Sequence, residues 1–275
     1  MLKIDELRAG PVAEDQPVCV YDDGSHAVWW VGASEKTFMR RNAWLVVDGD
    51  VSLLIDPGAQ VAHFEQVKAR VSKVIDPARL SYLVVQVEDP DRCDSMPDWI
   101  ALNPELQVVA TPRARVLIPY YGFTPTLSWL DVSPQDSTYI ELPSGKTISF
   151  ISAPFLHFPE AMASYDEASG ILFSSDVGST KQVEDWSLLV EDWPSYWRKM
   201  LHFHVENMAH TKALAGFIAK VRPFPIQAIL PFNGSIIPPE LVGTALDALA
   251  ELPVGVDLLY PESQIERVFK TFISG

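Results

Sequence analysis

Ser81-Tyr-Leu-Val-Val-Gln-Val-Glu-Asp-Pro-Asp-Arg-Cys-Asp-Ser-Met-Pro-Asp-Trp99 is the stretch whose reading decides the fold. Its first half, Tyr82 to Val87, is an apolar run of strand length, which predicts a buried strand. The second half breaks at Pro90 into a turn that carries Glu88, Asp89 and Asp91. A buried strand that ends in clustered acids admits two readings. Hard and borderline cations want several oxygen ligands at one point, so the turn is a candidate metal loop. Alternatively it is a solvated loop whose acid caps the next helix. The rest of the chain has to choose between them.

The chain has 275 residues and a net charge of −15, which argues against binding nucleic acid or an anionic membrane surface. Its length is ample for a buried core. Cys19 and Cys93 are its only cysteines, too few for a disulfide framework. The N-terminus, Met-Leu-Lys-Ile-Asp-Glu-Leu-Arg8, has no apolar signal core. No run approaches the roughly 20 apolar residues of a membrane span. The expectation is a reduced, soluble, cytoplasmic protein with a single domain over residues 1–275.

Upstream of the acidic turn, residues 18–33 and 42–56 read as β. Trp44-Leu-Val-Val and Val51-Ser-Leu-Leu-Ile55 flank Asp48-Gly49-Asp50, a strong hairpin signal, and Asp56-Pro57-Gly58 ends the second strand. Val61, Phe64, Val67 and Val71 have helical spacing over 60–74. Downstream, a short helix is predicted from Met96, a strand at 107–110 and a helix at 113–121. A β-rich block follows from 128 to 176. Helices are expected over 195–207, 210–221 and 238–252, with strands at 227–230 and 257–260. β-rich blocks alternate twice with helical ones, which predicts an α/β (α+β) chain built as an αββα sandwich.

Acids and a histidine recur in one context, the loop just after an apolar strand. They are Asp89 and Asp91 after 82–87, His157 after 147–156, Asp176 after 171–175, and Asn233 after 227–230. Layered folds gather sites from several strand ends in this way. An imidazole with several carboxylates suits iron, manganese or zinc. His26 and His63 lack that context and read as packing residues. His204 and His210 fall on predicted helices, where surface or packing roles are usual and a substitute ligand is the alternative. Cys93 reads as a small buried residue. Trp29, Trp30, Trp44, Trp186, Trp193, Tyr196 and Trp197 read as core, and Glu88 as a solvated charge facing away from the site.

These loops resemble the metallo-β-lactamase fold, and within it the diiron domain of flavodiiron proteins and the related stand-alone oxygen-binding diiron proteins. The resemblance covers about residues 40–235. Arg41 to Gly58 is similar to the opening hairpin of the superfamily. Leu156-His157-Phe158-Pro159 and Ile171-Leu-Phe-Ser-Ser-Asp-Val-Gly178 are similar to this branch's later ligand loops, and His157 and Asp176 stand at the family spacing. The family's first loop is His-x-Glu-x-Asp-His, and its last ligand is a His before Gly. Here the matching positions are Val87, Asp89, Asp91 and Arg92, with Asn233 before Gly234. The resemblance therefore implies Asp89, Asp91, His157 and Asp176 as metal ligands, with Asn233, His204, Arg92 and Glu88 as additional site candidates.

By the same resemblance one iron would draw on Val87, Asp89, His157 and Asp176, and the other on Asp91, Arg92, Asp176 and Asn233. A valine does not ligate, and an arginine is a permanent cation that substitutes for part of a metal's charge. In a dry pocket it is expected to pair with Asp91 or Asp176. The implied function is a non-hydrolytic, oxygen-binding sensor whose reduced site holds one iron or none, signalling to a partner protein. The first alternative is a diiron oxygen or nitric-oxide reductase. It would be fed by a separate flavin or rubredoxin-type partner, because no flavin domain is expected in the chain. The second is a metal-free scaffold in which Arg92 and the carboxylates form a buried ion network. Hydrolysis is disfavoured, since the first loop lacks the His-x-His-x-Asp-His set that activates water on zinc. The resemblance also implies a homodimer.

Overall fold

The computed structural model describes residues 1–8, 15–32, 40–121, 128–133, 138–181 and 186–259. Among these residues, seven strands form one sheet in sequential order: β1 (Val18–Asp22), β2 (His26–Trp30), β3 (Trp44–Asp48), β4 (Val51–Ile55), β5 (Tyr82–Val84), β6 (Gln107–Ala110) and β7 (Ser128–Asp131). Five strands form the second sheet in the order β12-β11-β10-β9-β8. These are β8 (Thr138–Glu141), β9 (Thr147–Ser152), β10 (Met162–Asp166), β11 (Ile171–Ser175) and β12 (Ala228–Pro231).

The β3–β4 hairpin closes as its sequence dictates. Asp48 pairs with Val51, and Gly49 takes the left-handed φ of 57° that a tight two-residue turn requires. From β4 onward the first sheet is parallel, each crossover running over its outer face.

Period-two alternation sorts the side chains into three apolar layers. Trp44, Val46, Leu53 and Ile55 face the second sheet and meet Phe150, Met162 and Phe173. Leu45, Leu54, Leu83 and Val108 face outward, against Phe64 and Val67 of α2 (Gln60–Val71) and Trp99 of α4 (Met96–Leu102). Ala163, Leu172 and Ile229 of the second sheet carry the other helical layer. It comprises α6 (Trp193–Asn207), α7 (Thr211–Val221) and α8 (Pro239–Ala250). Shorter helices are α1 (Ile4–Arg8), α3 (Pro90–Cys93), α5 (Pro112–Leu117) and α9 (Val256–Leu259). The result is the expected αββα sandwich.

Two sequence readings are corrected. β5 stops at Val84 rather than Val87, because beyond Val85 the backbone leaves the ladder: the Gln86 N–H donates to the Asp56 carboxylate at 3.1 Å. The strand expected over 257–260 is the short helix α9, with Tyr260 outside the described residues. A run of four apolar-rich residues carries too little periodicity to separate helix from strand.

Candidate metal centre

The carboxyl ends of β4, β5, β11 and β12 open onto one pole of the sandwich. Three described residues other than glycine have positive φ, and all three flank this pole: Asp56 (52°), Phe155 (65°) and Ser175 (56°). Backbone strain of this kind costs of order 1–3 kcal/mol per residue and persists only where surrounding contacts enforce it.

The acidic turn of the opening stretch is a helix start. Pro90 is the first residue of α3, and the Asp89 carboxylate caps it by accepting from the Asp91 N–H at 3.2 Å. That cap aims Arg92 inward. Gly58 N–H donates to Arg92 O at 2.9 Å, and the Ser95 hydroxyl donates to Gly58 O at 2.6 Å, so the 56–58 and 89–95 loops are tied together.

Arg92 is only 1 % exposed, and its guanidinium stands at the middle of the centre. It donates to Asp176 Oδ1 through Nη2, and to Ser175 Oγ at 2.7 Å through Nη1. Asp56 Oδ2 lies 3.6 Å from Nη1, and Asp91 Oδ1 lies 3.8 Å from Nε. One flat face of the guanidinium rests on the Phe232 ring, 3.9 Å from its centroid. Asp176 is fully buried, and its second oxygen pairs with His157 Nδ1 at 2.8 Å. Asp56 accepts from Gln86 through both oxygens, at 3.1 and 2.9 Å. Asp91 turns its outer oxygen to Arg41, 3.1 Å from Nε and 3.0 Å from Nη2.

Burial and charge work against each other here. Burial alone would raise the Asp176 pKa, but Arg92 and then His157 outweigh it and hold the carboxyl below its ordinary value. Burial likewise opposes the Arg92 charge, and Asp176, Asp56 and Asp91 more than restore it, so its proton is held more tightly than usual. Asp56, buried between its partners, is raised, chiefly by burial. Asp91 is pushed up to about 6, again chiefly by burial, with Arg92 pulling it back and Asp89 adding to it. His157 is raised because its bond to Asp176 exceeds the cost of burial.

The remaining candidates divide. Asn233 is buried next to Phe232; its N–H donates to Ser179 Oγ at 3.1 Å, and its Oδ1 has no hydrogen-bond partner among the described residues. His204 is committed elsewhere: Nδ1 donates to Met200 O at 2.7 Å and Nε2 accepts the Gly178 N–H at 3.1 Å. Burial lowers its pKa to about 4, so the ring is neutral and holds the loop after Asp176 in place. With both ring nitrogens in use, His204 is the packing residue its helical position suggests and not the substitute ligand that was the alternative. Glu88 is not solvated: it is 1 % exposed and pairs with Arg113 Nε at 3.2 Å. Cys93 is buried as expected, and burial raises its thiol pKa.

Asp56, Ser175 and Arg41 belong to the centre and were missed in the sequence. Asp56 had a signal, since it too follows an apolar strand; it was read only as a strand terminator. Ser175 and Arg41 carried no comparable signal.

The side chains do not fit an iron pair. A bridging carboxylate needs its oxygens free for metals, whereas both oxygens of Asp176 are taken, by Arg92 and by His157. Val87 and Arg92 offer no donor where the family places histidines. Among the described residues, no three His, Cys, Asp or Glu side chains are gathered as a metal would require.

Two sheets with helices on both outer faces, and acids and a histidine at the strand ends of one pole, define a metallo-β-lactamase-type domain of the diiron class. Residues 39–234 match the model of the ODP family beta lactamase, and the chain belongs to that family. A chemotaxis sensor ODP solved as its peroxy diiron species superposes with a TM-score of 0.76 at 26 % identity, over 89 % of this chain and 98 % of that one. The apo chemotaxis sensor ODP from T. denticola gives 0.76 at 27 % identity, over 88 % and 97 %. Diflavin flavoprotein A 1 of Synechocystis sp. is 36 % identical over 104 residues, 38 % of this chain and 18 % of the relative. Putative diflavin flavoprotein A 2 of the same organism is 26 % identical over 190 residues, 69 % and 32 %. The chain thus spans less than a third of either of these curated relatives. No helix among the described residues is long and apolar enough to cross a membrane.

Proposed function

We infer that the protein is a non-hydrolytic sensor or interaction domain of the ODP family whose centre is an internal ion network in place of iron. The observation that carries this reading is Arg92: a guanidinium 1 % exposed, donating to the carboxylate that would have to bridge two metals. An arginine does not give up its proton in the physiological range, so the cation is permanent. A buried pair of this kind is costly to break, of order 3–5 kcal/mol when one partner is removed. Iron entering the same place would have to displace it.

Of the readings the sequence left open, this favours the metal-free arm over the one-iron arm. It also disfavours the diiron reductase, which needs two redox ions and an electron-donating partner. What remains is the fold and its surface. The sensor-type relatives suggest a signalling protein as the partner, with residues 1–275 acting as one domain. The test is metal analysis of protein purified without oxygen. The reading expects no stoichiometric iron and no iron-derived absorption. One tightly held iron per chain would restore the one-iron sensor, and two would restore the diiron reductase.

A further inference from the structure

The buried side of α6 holds the loop after Asp176. The Tyr196 hydroxyl donates to Gly178 O at 2.8 Å, and His204 Nε2 accepts the Gly178 N–H at 3.1 Å. A second stripe of α6 carries Trp193, Trp197 and Leu201, four residues apart and so one above another. All three are half-buried: they pack inward on the core and leave apolar surface open. The Trp193 and Trp197 rings stack with centroids 5.8 Å apart. At the N-terminal end of α6 this stripe runs into a cavity of about 570 Å³ between Trp193 and Leu241 of α8. The cavity rim carries Glu191, Asp192 and Glu240 against Arg8, so it is acidic on balance.

At the other end of α6 the chain is fastened by α9. Val256 N–H donates to Ala209 O at 3.0 Å, and Asp257 Oδ2 accepts the Thr211 N–H at 2.9 Å. Gly255, with a φ of 60°, lies so close that a β-carbon would collide with the Met208 and Ala209 carbonyls. α9 then leaves Leu258 49 % and Leu259 71 % exposed. The stretch that follows, Pro261-Glu-Ser-Gln-Ile-Glu-Arg-Val-Phe-Lys-Thr-Phe-Ile273, lies outside the described residues. Its sequence sets Ile265, Val268, Phe269, Phe272 and Ile273 at the spacing of one helical face, with Pro261 suited to a first helical position. Arg267 and Lys270 fall in its second half. As a helix the stretch would span about 20 Å, against about 22 Å for the 15 residues of α6.

We propose that residues 261–273 fold back as an amphipathic helix over Leu201, Trp197 and Trp193 of their own chain, and that Phe272 and Ile273 end at the cavity between α6 and α8. The start at α9 and the matched lengths set the direction, antiparallel to α6. That direction carries Arg267 and Lys270 toward the acidic rim. An amphipathic helix laid on an apolar groove, with anchors at this spacing, is a recurring mode of recognition. The inference is independent of what the centre holds.

Hydrogen–deuterium exchange on the whole chain tests it. In the parent, amides of 262–273 are expected to exchange roughly tenfold more slowly than in a free peptide of the same sequence. Trp197→Asp puts a charge in the seat, and Phe269→Asp/Phe272→Asp puts charges on the face that docks; each should abolish the protection. Tyr139→Asp, at a 56 % exposed position on β8, should leave it unchanged. Protection of the sheet amides in each variant verifies that the fold stands, and the double substitution carries the test if Trp197→Asp does not fold. The proposal is overturned if 262–273 exchange at the free-peptide rate in the parent, or if their protection survives these substitutions. Protection that is lost on dilution also overturns it, because the stretch then seats on a second copy and not on its own chain.

Discussion

His26 gives the sharpest test of how the two sheets are held together at the pole opposite the centre. Its ring is 1 % exposed and lies between two buried carboxylates: Nδ1 faces Asp48 Oδ2 and Nε2 faces Asp166 Oδ2, each at 2.8 Å. Asp48 belongs to the first sheet and Asp166 to the second, so the imidazolium joins the layers. Replacing His26 with Leu removes the cation and leaves both acids buried. Each keeps some support, Asp48 from Ser144 N–H at 2.9 Å and Asp166 from Ala168 N–H at 3.0 Å and the Ser169 hydroxyl. The cost should therefore sit at the low end of that for breaking a buried pair, about 3 kcal/mol. For a chain of this size that is a fall in Tm of roughly 6–12 °C.

The pH dependence has a definite sign. Burial lowers the His26 pKa, but Asp166 and then Asp48 outweigh it, so the folded value lies above the ordinary 6.5. A histidine raised on folding contributes fully below its unfolded pKa, and that contribution is lost as pH rises through the folded value. Thermal melts of parent and His26→Leu at a series of pH values should show the largest gap at pH 6 and a narrowing gap on the alkaline side. A variant that melts with the parent at pH 6, or a gap that widens as pH rises, would refute the reasoning.

Other expectations follow from the centre and its surroundings. Asp176→Asn leaves the buried Arg92 with weakened partners and should lose about 3–5 kcal/mol in denaturant titration, without loss of any bound metal. His204→Phe removes the acceptor for Gly178 N–H and the donor to Met200 O, and should cost about 1–3 kcal/mol with metal content unchanged. Arg41→Ala deletes a pair whose side chains are 19 % and 21 % exposed, and should change stability by less than about 1 kcal/mol at moderate salt. In each case chemical unfolding with parallel metal analysis is the check.

The sandwich was legible because its cause is local. Alternation at period two in β3 and β4, the Asp-Gly turn between them, and helical spacing in α2, α7 and α8 follow from neighbours in the chain. The strand-end rule picked out Asp91, His157 and Asp176, which the fold gathers at one pole because loops after buried strands collect there, while the Asp89 carboxylate is spent capping α3. What pairs with what was not legible. The cap at Asp89 that turns Arg92 inward, the Ser175 hydroxyl that receives it, and Phe232 beneath it are tertiary facts. His26 was read as a packing residue because its two aspartates lie 22 and 140 positions away. Glu88 was read as solvated because its partner, Arg113, comes from the start of another helix. Charged residues at pleated-sheet ends carry no periodicity that would assign them inward or outward.

The most direct test of the account is an experimental structure of protein purified without oxygen, with anomalous scattering measured at the iron edge. The account predicts no anomalous peak at the centre and guanidinium density from Arg92 in contact with Asp176 and Ser175. An iron peak beside Asp176 and His157, with Arg92 turned out of the centre, would contradict it.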